Sequence, residues 1–171
     1  MAIHRLDPSH TQVYRTMMLE AYGSHPEAFT SSVAEREALP LAWWQARLTS
    51  DPRPLQLVLG AFQDAVLAGV AGLTFESREK SRHKAALFGM YVSSTARGKG
   101  FGAGLVQAAL AEAASRSGIK VVQLSVTQGN PSAQRLYERC GFVQFGLEPF
   151  AVALPGGFVS KVHMWHEIVP S

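Results

Sequence analysis

A glycine-rich basic turn holds the residues best suited to bind an anionic group. The apolar run Leu87–Val92 leads through Ser-Ser-Thr to the turn Arg97–Gly102 (RGKGFG), and an apolar-periodic segment begins at Ala103. This pattern predicts a strand, a tight turn and a helix whose first N–H groups have no intrahelical partners. The helix dipole adds partial positive charge at the same end. Because glycines lack a Cβ, a phosphate group can approach the backbone closely, and we expect a phosphate-bearing ligand here.

Three glycine patterns compete for this turn. A Walker loop requires Gly-Lys-Ser/Thr, which occurs nowhere in the sequence. The dinucleotide fingerprint GxGxxG/A is met by Gly98, Gly100 and Ala103, but it also requires an acidic residue at the end of the next strand. No acid ends that predicted strand, residues 120–126. The third pattern, Arg/Gln-x-x-Gly-x-Gly/Ala, is met by Arg97, Gly100 and Gly102.

With the third pattern, the turn resembles the acyl-CoA-binding loop of the GNAT N-acetyltransferase superfamily. A second block, Asn130–Phe142, is similar to the later signature of that superfamily, N-x-x-A-x-x-L-Y-x-x-x-G-F. The two blocks occur in the expected order, and together they are much more specific than either alone. The resemblance covers residues 55–145 well and the two ends of the chain loosely.

The resemblance implies direct transfer of an acetyl group from acetyl-CoA to a primary amine of a small molecule or protein, without an acyl-enzyme. It implies that Asn130 binds the cofactor arm. Tyr137 stands at the general-acid position of the superfamily, beside the departing sulfur. The alternative for Tyr137 is a core aromatic, because Leu136, Tyr137 and Cys140 also form an apolar helix stripe.

The resemblance also indicates which residues bind acetyl-CoA. The main chain of Met90–Val92 would run along the pantetheine arm and thioester, and the N–H groups of Gly98–Ala103 would hold the pyrophosphate. The absent side chains of Gly100 and Gly102 would admit it, and the basic side chains of the turn add positive charge. The expected cofactor-binding set is Met90, Tyr91, Val92, Arg97, Gly98, Lys99, Gly100, Phe101, Gly102, Ala103, Asn130, Ala133 and Tyr137.

The sequence departs from the ribosomal-protein members of the superfamily in the residue expected to take a proton from the amine. A lysine ammonium has a pKa of ~10.4, so it must lose a proton before it can react. In the ribosomal-protein N-terminal acetyltransferases a glutamate lies in the strand before the Asn motif, and Ser125 occupies the matching position. Serine cannot act as a simple general base, which argues against that subfamily. Glu27, Glu76 and His83 are candidates directly or through water, and bulk solvent is the other proton acceptor.

No metal site is expected. His163 and His166 are three residues apart in a predicted strand, and such residues point to opposite faces. The sequence has no His-Glu-x-x-His motif and no Cys/His cluster of the kind that binds zinc. The single cysteine, Cys140, excludes an intramolecular disulfide and is expected to be an inert, buried thiol.

The elements that must position these residues follow the order β-α-α-β-β-β-α-β-α-β-β, which predicts one mixed α/β (α+β) domain over residues 1–171. The resemblance implies a twisted, mostly antiparallel mixed sheet flanked by helices, with the two central strands splayed apart for the cofactor. A capping box at Ser32–Glu35 predicts a helix start. The closing strands are expected at residues 142–145 and 158–168, joined by a loop that contains Pro149.

Two helices carry further expectations. In the first, Val13, Met17 and Met18 fall at helical spacing on one face. The helix after the glycine-rich turn is expected from about residue 102 to 117, with Gly118 as its C′ residue.

The charge and the apolar runs of the sequence limit which partners are expected. The net charge of +3 is too modest to indicate nucleic acid, and it suits a polyanionic cofactor. No apolar run reaches the ~20 residues of a membrane span, and the first residues lack the apolar region of a signal peptide. We therefore expect a cytoplasmic monomer or homodimer without nucleic-acid or membrane partners.

Two other functions compete with N-acetyl transfer. A non-catalytic acyl-CoA-binding regulatory module is favoured by the missing acid at Ser125 and disfavoured by Tyr137. A nucleotide- or NAD-binding protein is disfavoured by the missing magnesium-binding hydroxyl and ribose-binding acid.

Overall fold

The computed structural model describes residues 1–169. Seven strands are present within this range: β1 (Ala2–Arg5), β2 (Gln56–Gln63), β3 (Val66–Phe75), β4 (Lys84–Val92), β5 (Val121–Thr127), β6 (Val143–Leu154) and β7 (Gly157–Glu167). The α-helices are α1 (Thr11–Ser24), α2 (Val33–Glu37), α3 (Leu41–Ala46), α4 (Phe101–Ala114) and α5 (Pro131–Arg139).

All seven strands form one sheet in the order β1-β2-β3-β4-β5-β7-β6. Neighbouring strands are antiparallel except for the central pair β4 and β5, which is parallel. A parallel pair needs a crossover connection, and α4 supplies it. The predicted mixed fold, with a mostly antiparallel sheet flanked by helices, is confirmed.

The core has two apolar layers, one on each face of the sheet. In the first, α4 and α5 pack through side chains such as Leu105, Val106 and Tyr137. In the second, α1 and α3 pack through side chains such as Met18 and Trp44. Since both faces are covered, the strands read as nearly continuous apolar runs.

The central strands separate after a short paired segment. Residues Lys84–Ala86 of β4 pair with Val121–Gln123 of β5, and the later residues of both strands diverge as the resemblance implied. In β4, Gly89 and Met90 lie opposite the single residue Ala71 of β3. Gly89 adopts φ +55°, the left-handed conformation that glycine supplies at a bulge. The separation and the bulge open the sheet beside the end of β4.

Two expectations for the helices were wrong in detail. Val13 is 48% exposed, because the buried stripe of α1 is centred on Tyr14 and Ala21 and Val13 lies at its edge. Helix α4 ends at Ala114, three residues earlier than expected. Gly118, at φ +93°, instead belongs to the turn before β5. The capping box at the start of α2 is confirmed in both of its hydrogen bonds.

The first closing strand, β6, is longer than expected, whereas β7 has the expected length and begins one residue earlier. Pro149 lies inside β6, where the register with β7 shifts between Glu148 and Val152. β6 is the last strand of the sheet, and proline is tolerated in an edge strand at a bulge because no ladder hydrogen bond is lost.

Candidate active site

A cleft of about 280 Å³ lies where β4 and β5 separate. Its walls include Leu87–Met90 of β4 and Leu124–Thr127 of β5, and residues from the N-terminal helices cover one side. Four residues of the expected cofactor set lie together on its lining: Met90, Asn130, Ala133 and Tyr137.

The glycine-rich turn leads into α4 just after β4. Gly98 and Gly100 have φ of +73° and +83°, which side chains disfavour. A Cβ built on either residue meets no atom of residues 1–169 within 4 Å, so the backbone is open to a ligand. Gly100 caps α4, and Phe101 anchors its first turn in the core with 4% exposure. This open helix start fits a pyrophosphate.

Gly102 lacks a side chain for a different reason from the one expected. A Cβ there would lie 3.0 Å from the Leu136 side chain and 3.4 Å from the Met90 methyl group. The space is therefore filled by α5 and β4, and Gly102 permits the close approach of α4 to α5. Its N–H group, in the first turn of α4 with that of Ala103, belongs to the set that lacks intrahelical partners.

The two basic residues of the turn have different surroundings. Arg97 donates from Nε to the Val92 carbonyl at 3.2 Å and from its guanidinium to His25 Nε2 at 2.7 Å, so it ties the turn to the end of β4. Lys99 is exposed and lies 3.5 Å from the Gln63 amide oxygen. Lys99 is thus the more available charge for an anion.

Tyr91 turns its side chain away from the cleft lining. Its hydroxyl donates to Glu20 Oε1 at 2.8 Å, which joins β4 to α1. Only the main chain of Tyr91 and Val92 is therefore a candidate for cofactor contact, as the resemblance implied.

Tyr137 closes one side of the cleft from α5. Asn130 caps that helix by accepting the Ala133 N–H at 3.3 Å, and Pro131 fits the first helical position. The helix carries the Tyr137 hydroxyl to 3.5 Å from the Met90 sulfur, to which it donates. Burial raises the pKa of Tyr137 to about 12. The phenol therefore keeps its proton at neutral pH and can donate it.

The three base candidates lie outside the cleft lining, which contains no acid among the described residues. Glu76 pairs with Arg78 in the turn before β4 at 3.5 Å. Glu27 faces His25 at 3.5 Å, and its carbonyl accepts the Thr127 hydroxyl. His83 precedes β4 at the closed end of the central pair. Ser125, in contrast, lies on the lining.

A histidine that the sequence did not connect with the site lies opposite Ser125, next to the cleft lining but not among the residues that form it. His163 of β7 is the direct cross-strand partner of Ser125, and directly opposed residues share a face. Its Nε2 lies 2.7 Å from Glu148 Oε2. Lys161, two residues earlier and hence on the same face, lines the cleft. No spacing rule could have found this pair, because register across β5, β6 and β7 brings it together.

The cleft lining also carries three cationic side chains. These are Arg36 of α2, Arg47 at the end of α3 and Lys161. Sequence reasoning missed all three, since they belong to no motif and converge only through packing of the N-terminal helices over the sheet.

The described part of the chain, residues 1–169, lacks two kinds of feature. No helix in this range is both long and apolar enough to cross a membrane. No group of three or more His, Cys, Asp or Glu residues in the same range is placed to hold a metal ion.

Comparisons with known proteins identify the family of the sequence and solved structures with the same fold. The sequence model of the acetyltransferase (GNAT) family matches residues 14–142. Among solved structures, an acetyltransferase of the GNAT family from Streptococcus pneumoniae is 22% identical with a TM-score of 0.84, covering 98% of this chain and 99% of that one. The protein yncA from Salmonella typhimurium, solved with its cofactor acetyl-CoA, is 22% identical with a TM-score of 0.79, covering 100% and 95%.

The ribosomal-protein-S18-alanine N-acetyltransferase from Escherichia coli is also similar in fold. It is 17% identical with a TM-score of 0.74, covering 99% of this chain and 95% of that one.

Proposed function

The chain belongs to the acetyltransferase (GNAT) family, and from this membership we propose that it transfers the acetyl group of acetyl-CoA to a primary amine. The observation that carries the proposal is the single cleft between the diverging strands β4 and β5. It brings the helix-capping Asn130 and the protonated phenol of Tyr137 next to Met90. We propose direct transfer, with no acyl-enzyme.

Acetyl-CoA would be held by the turn and the two central strands. Its thioester supplies the activated acetyl group, and transfer to an amine releases the CoA thiol. The N–H groups at the start of α4, with the open backbone at Gly98 and Gly100, are suited to the pyrophosphate. Lys99 adds charge. Asn130 keeps two amide N–H donors while its oxygen caps α5.

Tyr137 is the proposed general acid. Its pKa of about 12 lies above the usual ~10 of a phenol, so the proton is present throughout the neutral range. This proton passes to the departing thiolate. The acceptor nitrogen loses two protons: the ammonium proton goes to the base before attack, and the second, released when the amide forms, returns to the Tyr137 phenolate through water. Such a group contributes typically 10²–10⁴-fold in rate.

The amine proton is assigned to His163. This residue shares a face with Ser125 of the cleft lining, and Glu148 orients its ring. A serine hydroxyl or a water molecule between amine and imidazole provides the route. Ser125 therefore relays the proton or positions the amine, and it does not act as a base by itself.

The alternative is an acyl-CoA-binding regulatory module without catalysis. Purified protein should be incubated with acetyl-CoA and a panel of amines, and release of the CoA thiol measured against a sample without protein. Amine-dependent thiol release, with an acetylated product seen by mass spectrometry, is the expected result. Saturable acetyl-CoA binding by calorimetry without release for any amine class would favour the module instead.

A further inference from the structure

Among the described residues, three cationic side chains and no carboxylate line the cleft. Arg36, Arg47 and Lys161 are the charged residues of the lining, and no Asp or Glu of residues 1–169 belongs to it. Lys161 is held in place by donation to the Thr30 hydroxyl at 2.9 Å. A polyamine acceptor would meet only repulsion here.

The two arginines pack against the same indole ring. Their guanidinium carbons lie 4.6 and 4.4 Å from the ring centre of Trp43, and Arg47 also lies 5.3 Å from the Phe88 ring on the cleft wall. Cation–π contacts of this kind orient the groups but leave the charges unneutralised. No carboxylate of residues 1–169 forms an ion pair with either arginine.

Each arginine also has one buried donor that forms no hydrogen bond within residues 1–169. Within residues 1–169, the Nε atoms of Arg36 and Arg47 are buried and have no hydrogen-bond partner. Buried charged donors without a partner are costly, and native proteins rarely leave two of them in one site. A ligand that accepts from both would remove that cost.

The surrounding phenols are placed to assist. Tyr14 and Tyr22 line the same cleft. Burial raises the pKa of Tyr14 to about 12, against the opposing charge of Arg47, and burial likewise raises the pKa of Tyr22, against Arg36. Both phenols stay protonated, and both feel the arginine charges.

We propose that the acceptor amine carries a carboxylate held by Arg36 and Arg47, so that the substrate class is the free amino acids or close analogues. Guanidinium forks match the planar carboxylate with paired N–H donors. A cleft of about 280 Å³, shared with the thioester end of the cofactor, suits a small acceptor. The inference rests on the proposed amine acetylation and narrows its acceptor.

The first experiment compares matched acceptors. Initial rates of thiol release are measured for a panel of L-amino acids, for the corresponding amino-acid amides, and for spermidine. Removing the carboxylate charge should lower kcat/KM by about 10- to 100-fold, as expected for loss of hydrogen bonds to a charged group, mainly through KM. Equal rates for acids and amides, or a preference for spermidine, would overturn the proposal.

The second experiment uses variants in the intact chain. Within each of the variants Arg36→Gln and Arg47→Gln, the ratio of kcat/KM for acid to kcat/KM for amide should fall about tenfold or more, while the acetyl-CoA affinity stays close to that of the parent. Arg36→Lys and Arg47→Lys keep the charge and should recover part of the preference. Arg53→Gln, in an exposed loop outside the cleft, is the matched control and should change nothing. Equal weakening of acetyl-CoA binding would assign the arginines to the cofactor and overturn the proposal.

A binding measurement separates this inference from the proposed function. Calorimetry with CoA present compares an amino acid with its amide, independently of turnover. Preferential binding of the acid, lost in Arg47→Gln, supports the carboxylate site even if no acetylation occurs. Acetylation of amines without any acid preference in binding or rate refutes only the carboxylate site.

Discussion

Tyr137 combines two properties that a buried general acid needs. Its ring packs within the core layer between sheet and α5, and its hydroxyl reaches the Met90 sulfur on the cleft wall. Core packing and chemistry were alternative interpretations of this residue in the sequence. The two interpretations are compatible, because the ring packs in the core while the hydroxyl contacts a residue of the cleft lining.

Removing the hydroxyl of Tyr137 tests its chemical role. Tyr137→Phe keeps the ring, so we expect a melting temperature and acetyl-CoA affinity close to those of the parent. The single-turnover rate with saturating amine should fall by about 10-fold or more. The pKa of Tyr137 is raised to about 12, so its hydroxyl keeps its proton up to at least about pH 10. Ionisation of Tyr137 should therefore not lower the rate of the parent enzyme at any pH below that value. An unchanged chemical step would reduce Tyr137 to a packing residue.

His163 is the second residue whose role can be isolated. If it accepts the amine proton, His163→Gln should lower kcat/KM at pH 7 by roughly 10²-fold. The deficit should shrink as the pH rises through the pKa of the amine, because a neutral amine needs less help from a base. Glu148→Gln should cause a smaller loss in the same direction.

His166 offers a control on the same strand. It lies three residues from His163 and so faces the other side of the sheet, where it packs near Phe142. His166→Gln should leave the pH profile unchanged in a folded protein. A deficit of His163→Gln that does not vary with pH would argue for a structural role.

At the scale of elements, the turn between β4 and α4 divides its tasks among its glycines. Gly98 and Gly100 supply the left-handed backbone and an open surface. Gly102 instead lets α5 approach α4. A bulky side chain at Gly102 would therefore disturb helix packing together with ligand binding, and it is a poor test of phosphate contact.

Gly100→Ala is the sharper test, with Gly118→Ala as its control. Both glycines have positive φ, +83° and +93°, and neither Cβ would meet an atom of residues 1–169 within 4 Å. Each substitution should destabilise by about 1–2 kcal/mol through backbone strain. The 14 residues of α4 separate the two sites by about 20 Å. Only Gly100→Ala should weaken acetyl-CoA binding in calorimetry, and equal affinities would remove the turn from the cofactor site.

At the scale of the whole molecule, the sheet consists of two parts joined by a short parallel segment. Strands β1–β4 and strands β5–β7 meet in the sheet only where Lys84–Ala86 pairs with Val121–Gln123. Backbone groups of β4 and β5 beyond this segment face the gap between them. A ligand arm lying there would complete the hydrogen bonding that the divergence leaves open.

Hydrogen exchange of the backbone amides should detect the hydrogen bonds that such a ligand arm forms in the gap. Acetyl-CoA should slow exchange in Leu87–Val92 and Leu124–Thr127, at the amides facing the gap, and at the first turn of α4. The hairpin of β2 and β3 should change little. Acetyl-CoA at 100 times its Kd should also stabilise the fold by ~2.7 kcal/mol. Protection confined to regions away from the gap would contradict this placement of the cofactor.

Local chemistry allowed much of this protein to be predicted from its sequence. The glycine pattern after Leu87–Val92 and the block Asn130–Phe142 indicated the family and the order of elements. The Ser32–Glu35 capping box and the Asn130 cap depend on neighbours within three residues. Such features depend on short-range backbone geometry, which the sequence alone specifies.

Tertiary structure decided the features that depend on long-range packing. Arg36 and Arg47 join the cleft lining only because the N-terminal helices pack beside the gap in the sheet, and His163 meets Glu148 only through the register of the last two strands. Gly102 likewise acquires its packing role from α5, a helix that comes after β5 in the chain. These contacts join residues far apart in the chain, so no local pattern encodes them.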